Sequence, residues 1–188
     1  LRVARSQLAQ FNPKFFSVTY GAGGSTRDRT IETVLEIQAE GRTVAPHLSC
    51  IGSTRENIYA LLKKYQDNGI HHLVALRGDL PSGMAQAGEF RYANELVTFI
   101  RQEFGNLFRI EIAAYPEYHP QARSAQDDFK NFIKKIEAGA DSAITQYFYN
   151  ADAYFHFIDM CETANLSIPV VPGIMPINKF TQLVRFSD

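Results

Sequence analysis

Tryptophan is absent from this sequence, and cysteine occurs only as Cys50 and Cys161, with no CxxC spacing. Two scattered cysteines make no disulfide framework, so both thiols are expected to be small buried apolar groups in a reducing, cytoplasmic setting. Charge of either sign is not in excess. Nineteen Lys and Arg oppose 20 Asp and Glu, for a formal net charge of −1. A nucleic-acid partner therefore has no electrostatic footprint. Apolar runs are short, as in Ile110–Tyr115, which Glu111 interrupts. A membrane span needs roughly 20 such residues, so no membrane partner is expected. The first residues show no charged start followed by an apolar stretch and a small-residue site. HExxH and clustered Cys/His spacings are missing, so no metal site is expected. No G-x-S-x-G marks a serine nucleophile, and no P-loop is present.

What the sequence has is a repeated unit. Its 188 residues suffice for one domain, 1–188, with a sizeable core. Short β-branched or apolar runs occur at Phe15–Tyr20, Thr43–Leu48, His72–Leu76, Arg109–Ala114, Ser142–Gln146 and Ile168–Val171. Their near-continuous apolar character suits strands covered on both faces, as in a parallel sheet. Amphipathic helices lie between them. Ile58, Leu61, Leu62 and Tyr65 fall on one face, as do Phe129, Phe132, Ile133 and Ile136, and Tyr154, Phe157, Ile158 and Cys161. Ser53 with Glu56 reads as a capping box, and Ser25 and Ser124 open similar segments. Gly41, Gly69 and Gly139 stand where left-handed caps end helices. Phe and Tyr make the aromatic content 12%. Such rings fill a core or stack on a planar ligand, and composition does not choose between them.

Strict β-α alternation gives a closed barrel or an open doubly wound sheet. The open dinucleotide fold requires G-x-G-x-x-G, but the glycine segment after the first strand places Thr26 at the third glycine position. The expected fold is an α/β (β/α)₈ TIM barrel. About six of its eight units are present, so the barrel is expected to be incomplete at both ends of the chain. Leu1–Ala9 reads as a helix whose strand came earlier, and Lys179–Phe186 as a helical pattern not followed by a strand. The strands are therefore numbered two to seven of eight.

In a barrel the active face lies at the strand C-terminal ends. Five strands leave into polar or glycine-rich text: Thr19-Tyr20-Gly21-Ala22, His47, Arg77-Gly78-Asp79, Tyr115-Pro116-Glu117-Tyr118-His119 and Gln146-Tyr147. Arg77 offers a fork of donors for phosphate or carboxylate, and Gly78 lets backbone approach a ligand. The same residues alone also suit a surface Arg–Asp pair at a turn. Asp128, Asn131 and Lys135 share a helical stripe that either lines a site or faces water.

Six segments, taken together, carry a resemblance. Val18-Thr19-Tyr20-Gly21-Ala22, Ala45-Pro46-His47-Leu48, Ala75–Pro81, Ala113–Glu117, Ala138-Gly139-Ala140-Asp141 with Ile144-Thr145-Gln146, and Pro172–Pro176 resemble methylenetetrahydrofolate reductase in order and spacing. The resemblance implies noncovalent FAD at the strand ends. NADH or NADPH reduces it, leaves, and is replaced by methylenetetrahydrofolate, which becomes methyltetrahydrofolate in a ping-pong sequence. It also implies one-carbon metabolism serving methionine biosynthesis, and a homo-oligomer.

Carried over by position, Thr19, Tyr20, Ala22 and His47 match residues around the flavin, and Arg77, Gly78, Asp79 and Leu80 the loop that holds it. Tyr92 and Ala93 match contacts of the next loop. Tyr115, His119, Ala122, Asp128, Asn131, Lys134 and Lys135 match residues along the ribityl, phosphate and adenosine parts. Lys134 stands where some relatives are expected to have Arg. Asp79 matches the catalytic carboxylate that stabilises cationic folate. Gln146, Gln182 and Phe186 match substrate contacts, with Phe186 a stacking face.

One departure stands out. The resemblance implies a general-acid Glu on a first strand, in text like F-E-F-F-P-P, and nothing like it precedes Phe15. The expectation is a record covering part of a longer polypeptide. The competing expectation is an inactive flavin- or folate-binding remnant. A third reading, a flavin-free lyase or aldolase, needs a Schiff-base lysine at a strand end, and no strand exit offers one convincingly.

Overall fold

Parallel pairing in strict sequence order organises this chain. In the computed structural model, residues 2–20, 24–79 and 88–177 are described. The elements are α1 (Arg2–Ala9), β1 (Phe16–Val18), α2 (Gly24–Ala39), β2 (Val44–Ser49), α3 (Arg55–Asp67), β3 (His72–Leu76), α4 (Ala93–Phe104), β4 (Arg109–Ala114), α5 (Ala125–Glu137), β5 (Ser142–Thr145), α6 (Ala151–Thr163) and β6 (Val170–Val171). The strands hydrogen-bond in the order β1-β2-β3-β4-β5-β6. All six expected strands are present, with β1, β5 and β6 shorter than their apolar runs. In β3 the first four residues are all buried, which explains the unbroken apolar run from Leu73 to Leu76. The register sets Ser17 beside Ala45, and His47 beside Val74.

The chain divides into two compact units, Leu1–Ile112 with Lys134–Asp141, and Ala113–Ile133 with Ser142–Asp188. Strand β4 belongs to both. Within the first unit, Asp141 N–H donates to the Ile110 carbonyl at 2.9 Å. Within the second, Gln146 N–H donates to the Ala114 carbonyl at 2.7 Å.

The first unit packs α3 through Ile58, Leu62 and Tyr65, as its periodicity predicts. Its cap differs from expectation. Thr54, not Ser53, is the N-cap, accepting from Asn57 N–H at 3.2 Å, because Ser53 lies buried one residue earlier. Helix α2 likewise starts at Gly24, so Ser25 lies within it and does not precede it. Helix α4 was not foreseen, because Tyr92 is no ordinary cap. Glu95 supplies the missing acceptor, taking Arg91 N–H at 2.7 Å, while Leu96, Val97, Phe99 and Ile100 are buried. Gly41, Gly69 and Gly139 all adopt positive φ as expected. Helix α1 buries nothing and is tied to α2 by Arg2 and Arg5, which both pair with Glu36.

Two polar networks near the strand N-termini were not legible in the sequence. Arg101 on α4 donates to the carbonyls of Gly139 (2.9 Å), Gly105 (3.1 Å) and Phe108 (2.7 Å), and its guanidinium meets Asp141 at 2.6 Å. The same Asp141 oxygen accepts from Ile110 N–H at 2.6 Å. The Ala138–Asp141 segment is therefore an architectural joint. In the second network Glu111 and His72 are buried. Glu111 meets His72 Nε2 at 2.8 Å and Arg109 Nε at 3.2 Å, and the Phe15 ring lies 4.3 Å from the His72 ring. Removing Glu111 leaves His72 without its carboxylate in a site closed to water. Glu111→Ala is expected to lower stability by about 3 kcal/mol, read from urea unfolding of the full-length protein.

The second unit closes on rings. Phe129 and Phe132 of α5 each pack against Phe157 of α6, at 5.8 and 5.1 Å between centroids. Ser124 caps α5 as expected, its hydroxyl accepting from Asp127 N–H at 3.1 Å. Cys161 is buried here, as Cys50 is in the first unit, and neither forms a disulfide.

Candidate active site

The first unit collects strand-end residues of β1, β2 and β3. Thr19 and Tyr20 follow β1, and Thr30 of α2 donates to the Thr19 carbonyl at 3.2 Å. His47, half-buried in β2, has Nε2 3.3 Å from the Ser17 hydroxyl, its same-face neighbour across β1. Burial holds its imidazole below the ordinary histidine value. The sign follows. The unfolded ring takes a proton near pH 6.5, whereas the folded ring resists it to lower pH. The contribution is complete above about pH 6.5 and is lost as pH falls from there through the lower value of the folded ring. His47→Gln is expected to lose less stability than the parent between about pH 7.5 and 5.5, measured by thermal melts.

Arg77, Gly78 and Asp79 follow β3. Gly78 has φ +79°, a conformation that L side chains rarely adopt. The Arg77 carbonyl is held from β2's end, by Ile51 N–H at 2.9 Å and the Ser49 hydroxyl at 2.9 Å. Arg77 Nε donates to the Gly78 carbonyl at 3.1 Å, and the Asp79 side is exposed. Tyr92, exposed, and Ala93 stand at the start of α4.

In the second unit, Tyr115 and His119 pack edge to face at 4.6 Å. The loop between them carries Tyr118 at φ +59°. His119 is held on both its backbone and its ring. Its N–H donates to Asp128 Oδ2 at 2.9 Å, and its Nδ1 accepts from Gln121 N–H at 3.0 Å. A neutral His119 ring therefore carries its proton on Nε2 and presents a donor there. Asp128 uses one oxygen on this loop, so it positions His119 whatever else it binds. Ala122 N–H closes the loop on the His119 carbonyl at 2.8 Å. Gln146 is exposed directly after β5. Gly173 N–H donates to the Thr145 hydroxyl at 2.8 Å, and a Cβ on Gly173 would lie 2.1 Å from the Thr145 carbonyl oxygen. Asn131, Lys134 and Lys135 follow Asp128 along α5, the two lysines in its last turn.

Ala22, Leu80, Gln182 and Phe186, and the helical pattern Lys179–Phe186, lie outside the described residues. The contacts of Ser17, Ser49, Cys50 and Thr145 were not legible, because they cross between strand ends and only register reveals such partners. Nor was that of Thr30, which reaches from α2 to the end of β1. Among the described residues, no helix is long and apolar enough to cross a membrane.

The model of the family described as Methylenetetrahydrofolate reductase matches residues 1–188. The 5,10-methylenetetrahydrofolate reductase of Escherichia coli (strain K12) is 43% identical over 183 residues, covering 97% of this chain and 60% of that protein. The same enzyme of Pectobacterium carotovorum subsp. carotovorum is 44% identical over 182 residues, covering 96% and 60%. Methylenetetrahydrofolate reductase (NADH) 1 of Arabidopsis thaliana is 36% identical over 195 residues, covering 96% and 33%. The chain thus spans 60% of the length of the bacterial relatives named here. Among solved structures, an uncharacterized protein from Clostridium thermocellum, which binds two copies of 5-methyl-5,6,7,8-tetrahydrofolic acid, superposes with TM-score 0.54 at 13% identity. That match covers 96% of this chain and 73% of the other, and shows a shared fold.

Proposed function

We infer the function from kinship: the chain belongs to the methylenetetrahydrofolate reductase family. The whole polypeptide, on this reading, is a flavin-dependent oxidoreductase. It reduces 5,10-methylenetetrahydrofolate to 5-methyltetrahydrofolate with NADH or NADPH in a ping-pong sequence. The observation that carries the reading is the family match across residues 1–188, joined to identity above 40% with bacterial reductases. The fold proposed for the whole is a (β/α)₈ barrel to which this chain gives six consecutive units. A cytoplasmic homo-oligomer is proposed with it. NADH is the favoured reductant, because the Arabidopsis relative carries it in its name.

The donor set suits FAD, which would supply the hydride chemistry when bound. Arg77, with Lys134 and Lys135, offers cationic donors for a diphosphate. His119 offers its Nε2 donor to a ribityl hydroxyl or phosphate oxygen. Thr19, Tyr20, Ala22 and His47 would border the ring system, with a neutral His47 able to donate or accept. Gly78 and Leu80 would bring backbone close to the pyrimidine edge, and Tyr92 and Ala93 would flank it. Tyr115, Ala122, Asp128 and Asn131 would shape and hold the adenosine side. Asp79 is the proposed catalytic group. Its carboxylate would stabilise the cationic iminium form of the folate by a preorganised charge. Gln146 and Gln182 would orient the folate, and Phe186 would stack on its rings or on nicotinamide.

The test uses the full-length polypeptide. Purified protein should be yellow, with flavin absorbance bands. It should oxidise NADH with menadione, and consume methylenetetrahydrofolate with reduced nucleotide. Colourless protein that takes up no FAD overturns the reading. Electron flow to menadione without folate turnover assigns the protein instead to a binding-only remnant.

A further inference from the structure

The end of β2 is built into the loop that follows β3. The Arg77 carbonyl accepts from Ile51 N–H at 2.9 Å and from the Ser49 hydroxyl at 2.9 Å, with the Cys50 thiol 3.7 Å away. The same thiol lies 3.8 Å from the Tyr92 carbonyl, at the start of α4. Cys50 is fully buried, so its sulfur has no access to water in place of these carbonyls. A Cβ built on Gly78 would lie 1.8 Å from the Ser49 oxygen and 3.0 Å from the Ser49 Cβ. The Ser49 hydroxyl therefore occupies the space that a side chain at position 78 would need. Three successive residues of one strand end thus grip one peptide, and the middle one reaches a second loop.

We propose that Ser49 and Cys50 are positioning residues that lock the Arg77–Gly78 peptide and the Tyr92 carbonyl into one arrangement, and so present the Arg77–Asp79 and Tyr92–Ala93 backbone to the flavin. This rests on the flavin reading given above. Neither side chain is required to touch the cofactor. Ser49 acts through the Arg77 carbonyl, where a hydroxyl donor fixes the plane of the next peptide. With φ at Gly78 positive and no Cβ to restrict it, that peptide would otherwise rotate easily. Cys50 acts through burial and a weak thiol donor shared between two carbonyls. Its thiol, pushed up to about 12 by desolvation, stays protonated and remains a donor throughout the working range.

Two measurements on full-length protein separate this proposal from the flavin reading. The first is FAD affinity of the apo-protein by flavin fluorescence, with thermal midpoints recorded alongside. Ser49→Ala should weaken FAD binding about ten-fold, one hydrogen bond's worth of preorganisation. Ser49→Thr, which keeps the hydroxyl, should stay within about three-fold of the parent. Cys50→Ala should weaken binding by a similar factor and Cys50→Ser by less, with apo-protein midpoints that do not track the losses. The second is amide hydrogen exchange of the apo-protein, which needs no flavin. Ser49→Ala should speed exchange at Ile51, whose N–H shares the Arg77 carbonyl, while strand amides of β2 stay protected. Unchanged exchange at Ile51 overturns the lock, as does an affinity loss that Ser49→Thr fails to restore. Altered exchange in a protein that takes up no FAD upholds the lock and overturns the flavin reading alone.

Discussion

On the proposed flavin reading, Gly78→Ala is expected to reduce FAD affinity by at least about 100-fold while leaving the core folded. Two independent effects add. An alanine at φ +79° pays a left-handed penalty of about 1–2 kcal/mol. Its Cβ would also fall 1.8 Å from the Ser49 hydroxyl, which is itself held on the Arg77 carbonyl. Something must move, and the exposed Asp79 side of the loop moves more readily than the buried body of β3. The carboxylate of Asp79 then moves as well, so if it has the proposed catalytic role, folate turnover should fall further than affinity alone predicts. The double variant Ser49→Gly with Gly78→Ala relieves the collision and leaves only the dihedral penalty. It should recover about one power of ten in affinity. Equilibrium titration with FAD reads both. Parent-like affinity in Gly78→Ala would show that this loop does not present backbone to the cofactor.

Arg101→Ala should destabilise the protein by about 3–5 kcal/mol, the largest stability effect expected of any single substitution in the described residues. The guanidinium serves three carbonyls and one carboxylate at once, joining α4 to the segments before β4 and β5. Its loss strands several acceptors at once, and Asp141 keeps only its bond from Ile110 N–H. Lysine is no substitute. Its single ammonium cannot present a planar fork to acceptors on both sides, so Arg101→Lys should recover less than half of the loss. Urea unfolding monitored by far-ultraviolet circular dichroism measures both variants. An Arg101→Ala midpoint equal to the parent's would mean that water replaces the fork at no cost.

The two variants fail differently because the strand ends differ in chemistry. Carboxyl-end residues such as Gly78 and His47 have exposed or half-exposed surroundings, whereas Glu111 and Arg101 are engaged by several partners near the strand starts. That asymmetry was only half visible in the sequence. Polar exits after five strands were legible, because a strand run stops where its neighbours stop covering it. The joints near the strand starts were not, since Arg101 and Asp141 lie 40 positions apart and neither sits in an apolar pattern. Strand positions were readable for a simple reason: burial on both faces leaves unbroken apolar runs, as in β3. Helix α4 escaped because its first turn relies on Glu95 reaching back to Arg91, not on a Ser or Thr cap. Helix α3 was found but capped one residue off, because Ser53 and Thr54 are equally plausible by type and only burial distinguishes them. Among the described residues, those carried over by position lie at strand ends, at the start of α4, in the loop before α5 or on α5. Ser49, which holds Arg77, gave no signal, because its partner follows another strand.

Strands begin at residues 16, 44, 72, 109, 142 and 170 and are added to the sheet in that same order. Every new strand therefore finds its partner among residues only just synthesised. Closing each crossover costs a similar, modest loop entropy, since that cost grows only with the logarithm of length. Across these six strands, synthesis from the amino end never has to wait for a distant segment before the next hydrogen-bonded ladder can form. Circularly permuted versions opened between units should keep most of these neighbour pairings, but one opened within a helix would separate a strand from the packing that covers it.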